Sequence, residues 1–81
     1  MITSAQIRAA RALLNWSRAE LAHESGIGLS ALMRLESSEG IPGGHIKTLD
    51  TVQKTFEEAG VEFIGTPDDR PGVRLNVSNK T

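Results

Sequence analysis

Between Ser17 and Glu36 the chain reads SRAELAHESGIGLSALMRLE, and this stretch holds the side chains best suited to recognition chemistry. Arg34 carries a planar fork that can bond two acceptors together, as the O6 and N7 of a guanine present them. Ser30 offers a hydroxyl to a base or a phosphate, and Leu29 an apolar contact of the kind a thymine methyl accepts. Met33 lies beside them; methionine fills gaps readily, which suits packing at a rim better than reading a base. Arg18 is a second cation at the head of the stretch, and His45 and Lys47 follow across a glycine-rich loop. The plainer alternatives are a solvated helix arginine at 34 and a solvated or loop-tethering histidine at 45. Catalysis has weaker support. There is no Gly-rich phosphate loop, nucleophile elbow or His-Glu-x-x-His pattern, and the chain is small for an enclosed substrate pocket. With no cysteine and only His23 and His45 as imidazoles, a metal site lacks a ligand set, and no cofactor is expected.

Two short helices must position these residues. Ser17 is a good N-cap and Glu20, three residues on, completes a capping box. The helix it opens runs through Leu21 and Ala22 to about Ser25. Gly26 supplies the positive φ of a turn, Ile27 is apolar, and Gly28 serves as a weak N-cap. A second helix, 28–36, then carries Leu32 and Leu35 on one stripe. Two helices joined by a glycine turn meet the requirements of a helix-turn-helix. In that motif the second helix enters the major groove with its N-terminal residues nearest the bases, while the first crosses the backbone. Leu29, Ser30, Met33 and Arg34 then project towards DNA. Arg18 meets a phosphate, aided by the positive end of its helix, and His45 and Lys47 clamp the neighbouring phosphate strand.

The stretch resembles the helix-turn-helix of the Cro/CI-type (XRE) repressors, whose pattern is roughly Ser-Gln-x-x-Leu-Ala-x-x-x-Gly-Val-Ser followed by a helix ending in Glu. Ser17, Leu21, Ala22, Gly26, Ile27, Leu32, Leu35 and Glu36 stand at matching positions, and the likeness runs from about Ile7 to Phe56. Arg18 replaces the usual Gln, Gly28 the usual Ser/Thr cap, and Ser38 a frequent Gly. The resemblance implies a mainly α, lambda-repressor-like bundle of four helices; a fifth, which many relatives possess, is not visible in the sequence. It also implies a partly buried ion pair between Arg11 and Glu36. Removing one partner of such a pair would cost about 3 kcal/mol, although both residues being solvated is the alternative.

Outside the motif, Thr3 and Gln6 form a capping box for a helix from about Ser4 to Leu14, striped by Ile7, Ala10 and Leu14. Asn15 ends it in the left-handed region, and Trp16 packs beside the Ser17 cap. Residues 37–44, SSEGIPGG, read as a loop. Thr48 is expected to cap a fourth helix with Leu49, Val52 and Phe56 inward, stopping at Gly60. From Val61 the period becomes two: residues 61–64 and 73–77 read as short strands, with 65–72 as the loop between them. The boundary near Gly60 divides a DNA-binding unit, 1–60, from a C-terminal hairpin and tail, 61–81. A lone hairpin is marginal in water, so Val61, Phe63, Val73, Leu75 and Val77 must find cover. A second subunit pairing strand edges across a two-fold axis would supply it, and folding back on the chain's own helices is the alternative.

Eighty-one residues make one small domain, and 38% apolar with 23% charged residues reads as globular. The absence of cysteine, of a signal peptide and of a long apolar run fits a cytoplasmic protein with no membrane partner. A formal net charge of −1 weighs against DNA binding unless cations gather on one face. Arg18, Arg34, His45 and Lys47 would have to do so, with Glu57, Glu58, Asp68 and Asp69 elsewhere. Two functions follow. The first is a homodimeric regulator of the repressor type on double-stranded DNA. The second is an antitoxin-like interaction module whose tail holds a protein partner, a toxin or another regulator.

Overall fold

The computed structural model describes residues 2–37 and 46–76. In chain order they form α1 (Ser4–Leu14), α2 (Arg18–Ser25), α3 (Leu29–Ser37), α4 (Ile46–Glu58), β1 (Val61–Thr66) and β2 (Asp69–Leu75). The described residues are therefore mainly helical, four helices closed by one antiparallel hairpin, as a lambda-repressor-like bundle requires. Of the residues singled out from sequence, Ser38, His45 and Val77 lie outside the described residues. Among the described residues no helix is long and apolar enough to cross a membrane.

Local chemistry sets the helix ends. The Thr3 hydroxyl accepts from the Gln6 N–H at 3.1 Å while Gln6 Oε1 accepts from the Thr3 N–H at 2.8 Å. Ser17 and Glu20 repeat the device at 3.0 and 2.7 Å, so both helices start on reciprocal caps. Asn15 closes α1 in the left-handed region at φ 58°. The fourth helix differs from expectation: it already runs at Ile46, so Thr48 sits inside its first turn instead of capping it. A threonine is only mildly unfavourable within a helix, so its presence does not force a boundary.

Ile7, Ala10, Leu21, Leu32, Val52 and Phe56 are fully buried and knit the four helices into one core. The Phe56 ring stacks on Trp16 at 5.9 Å and meets the edge of Phe63 at 6.1 Å, which joins α4 to the α1–α2 corner and to the hairpin. The Ser4 hydroxyl donates to the Leu35 carbonyl at 2.5 Å, fastening the start of α1 to α3.

The hairpin corrects two expectations. Its strands extend past Ile64 to Thr66 and back from Asp69, leaving only Pro67 and Asp68 as the turn. The register slips between Ile64 and Thr66, where Gly65 takes φ +76° and Arg70 opposite takes φ 53°. A Cβ on Gly65 would stand 2.2 Å from the Arg70 carbonyl oxygen, so only glycine fits. That irregularity, spelled in turn residues, hides two paired segments in what reads as a loop. Second, the apolar side finds its cover within the chain. Val61 is 2% exposed in the core, and Phe63, Val73 and Leu75 pack against it. The hairpin folds back on its own helices, so a second subunit is not required to cover Val61, Phe63, Val73 and Leu75. Gln6 secures it, its Nε2 donating to the Ile64 carbonyl at 3.2 Å and the Gly72 carbonyl at 2.8 Å.

Candidate nucleic-acid interface

The turn between α2 and α3 is built on Gly26, whose φ of 74° and bond from its N–H to the Ala22 carbonyl close the first helix. Ile27 is half-buried beside the core, and its N–H donates to the Ser25 hydroxyl at 3.2 Å. The Gly28 carbonyl then accepts from the Leu32 N–H at 3.1 Å, the first bond of α3. These contacts fix the angle at which α3 leaves the turn.

The two sides of α3 are chemically distinct. Leu32, Leu35 and Glu36 point inward and are buried. Leu29, Ser30, Met33, Arg34 and Ser37 are exposed. Their spacing places Leu29, Met33 and Ser37 on one i, i+4 row and Ser30 with Arg34 on the next, a continuous outer face. Leu29 and Met33 are 46% and 49% exposed, two large apolar side chains left in water side by side. All four residues proposed from sequence to face a base pair thus share one surface. Beside it lies an open cleft of about 270 Å³, lined by Arg18, Met33, Arg34, Glu36 and Ser37. Lys47 is exposed in the first turn of α4.

Beneath this face three arginines converge on one residue. Arg11 Nε and Nη2 donate to the two oxygens of Glu36 at 2.7 and 2.8 Å, a two-point fork. Arg18 Nε donates to Glu36 Oε1 at 3.1 Å. Arg8 Nη1 donates to the Glu36 backbone carbonyl, supplying an acceptor at the C-terminal end of α3 with a cation. The Glu36 side chain is 2% exposed. Burial alone would push its carboxyl up, but hydrogen bonds and charge from Arg11 and Arg18 outweigh burial and hold it below the ordinary carboxylate range. The carboxylate of Glu36 therefore fastens α1, α2 and α3 together.

Two of these arginines do something the sequence reading did not assign. Arg18, expected to meet a phosphate, is paired with Glu36 while its side chain stays 43% exposed. Arg8, which the sequence places on a face of α1 adjacent to that of Arg11, had been given no role there. Gln6 was read only as a cap; its bonds to Ile64 and Gly72 link positions far apart in the chain and leave no local trace.

A family model described as helix-turn-helix matches residues 7–46, which run from within α1 to the end of α3 and on to the first residue of α4. No curated protein gives a significant match to the chain.

Proposed function

We propose, from the match of residues 7–46 to the helix-turn-helix model of the Cro/CI-type regulators, a DNA-binding family, that the chain is a sequence-specific transcriptional regulator of the repressor type. The observation that carries the reading is the outer face of α3, where Leu29, Ser30, Met33 and Arg34 are exposed together on a helix whose other side is locked into the core. An α-helix fills the major groove, and this face meets the base edges. Arg34 bonds a guanine through its fork, Ser30 bonds a base or phosphate, Leu29 touches a thymine methyl and Met33 packs at the rim. Arg18, Lys47 and His45 contact phosphates.

The protein acts as a homodimer in the cytoplasm, residues 1–60 binding DNA and the hairpin assembling the pair. Because the hairpin's apolar side is used within the chain, the subunits join through strand edges, and β1 is the better edge: Pro71 deprives β2 of one N–H. Two copies of α3 then reach successive major grooves ~34 Å apart, and occupancy of a promoter excludes polymerase. Selection of bound fragments from a random DNA pool tests this. The expected outcome is an enriched pseudo-palindrome with half-sites about one helical turn apart. A protein that retains no duplex at low salt would refute it.

A further inference from the structure

Neutralising Glu36 takes one guanidinium, and Arg11 supplies it with two bonds of 2.7 and 2.8 Å. Arg18 adds a third bond, single and longer at 3.1 Å. The two arginines also differ in depth: the Arg11 side chain is 19% exposed and that of Arg18 43%. Arg11 therefore holds the carboxylate from within, while Arg18 reaches it from the solvent side of the cleft that Met33, Arg34 and Ser37 share. A phosphate oxygen arriving at that cleft would offer Arg18 the same acceptor chemistry as the Glu36 oxygen it already holds.

We propose that Glu36, which touches no DNA, weakens binding to duplex DNA and flattens its salt dependence by competing with phosphate for Arg18. The inference rests on the DNA-binding reading above. While Arg18 is held by Glu36, a random duplex gains one phosphate contact fewer. A site whose bases engage the outer face of α3 fixes a phosphate beside the cleft, where the better-placed acceptor draws the arginine away from Glu36. Arg11 stays on Glu36 throughout, so the helices remain fastened while Arg18 moves. The carboxylate thus costs a random duplex one phosphate contact and a docked site the bond that Arg18 gives up, and it lowers the affinity for both.

The test is the salt dependence of binding to a short duplex of random sequence by the wild type, Glu36→Gln, Arg18→Ala and the double variant. Glu36→Gln is expected to bind more tightly and to steepen the log–log salt slope by about 0.9, the value of one phosphate contact. In the Arg18→Ala background the same change is expected to leave the slope where it was. An unmoved slope in the single variant, or an equal steepening without Arg18, would overturn the proposal. Wild-type binding that is absent at low salt would instead overturn the DNA-binding reading beneath it. Because Glu36→Gln weakens the Arg11 fork and can unfold the chain, a second measurement uses the wild type alone. With the random duplex the Nε–H resonances of Arg18 and Arg11 are both expected to stay; with a duplex selected by the protein, that of Arg18 is expected to shift while that of Arg11 stays. Both resonances fixed on the selected duplex, or both moving together, would contradict the exchange.

Discussion

Two arginine–glutamate pairs in this molecule have nearly the same geometry and opposite surroundings. Arg11 grips Glu36 at 2.7 and 2.8 Å beneath α3; Arg74 grips Glu62 at 3.1 and 2.9 Å on the outer side of the hairpin. Each carboxyl is held below its ordinary range, Glu62 by the hydrogen bond and charge of Arg74, Glu36 by its two arginines against the opposing push of burial. The side chains of the first pair are 19% and 2% exposed and those of the second 61% and 48%. Depth, rather than bond length, decides what each pair is worth. A buried carboxylate deprived of its partner has nowhere to go, whereas a surface one returns to water. The pairs also join different things. Glu62 and Arg74 are already opposite each other in a register set by the hairpin, while Arg11 and Glu36 bring together helices that no turn aligns.

The largest effect expected of any change to these pairs is therefore from Arg11→Ala, which should destabilise the fold by about 3 kcal/mol. Thermal denaturation would read this as a fall in Tm of order 10 °C or more; an unchanged Tm would make the two pairs equivalent after all. The pH dependence sharpens the same contrast. Glu36 has a folded-state pKa below its unfolded value, so its stabilisation is full above the ordinary carboxylate range and is lost as pH falls through the folded value. Acid unfolding of Arg11→Ala should accordingly be flatter over that window than the wild type. Gln6→Ala comes next, at about 2 kcal/mol for two lost bonds to strand carbonyls, and amide exchange should quicken in β1 and β2. Arg74→Ala stands last: its Tm should match the wild type, and a clear drop would show the exposed pair to be structural.

The sequence announced some of this plainly. Capping boxes at Thr3–Gln6 and Ser17–Glu20, and the left-handed residues Asn15 and Gly26, are local devices whose partners lie within a few positions, so spacing alone reveals them. The exposed side of α3 was legible for the same reason, since Leu32 and Leu35 declare the buried side. Thr48 misled because a hydroxyl residue reads alike at a cap and within a first turn. Residues 65–72 misled because Gly65 and Arg70 take positive φ inside paired strands, where turn-forming residues serve a bulge. The cover over Val61 and Phe63 could not be read, because the helices that provide it are chosen by tertiary packing and by one glutamine amide reaching across the fold. Arg18 was assigned to DNA by its place at the start of α2; that it also completes a cluster around Glu36 depends on where α3 ends in space.

The claim on which everything functional depends is that the outer face of α3 reads base pairs. The direct measurement is the affinity of the wild type and of Arg34→Ala for a selected site and for versions of that site altered one base pair at a time. Loss of about 1–3 kcal/mol by Arg34→Ala, with preference relaxed at a single base pair, is the expected result. Equal weakening on every sequence would make Arg34 a phosphate contact, and no weakening at all would remove α3 from the groove.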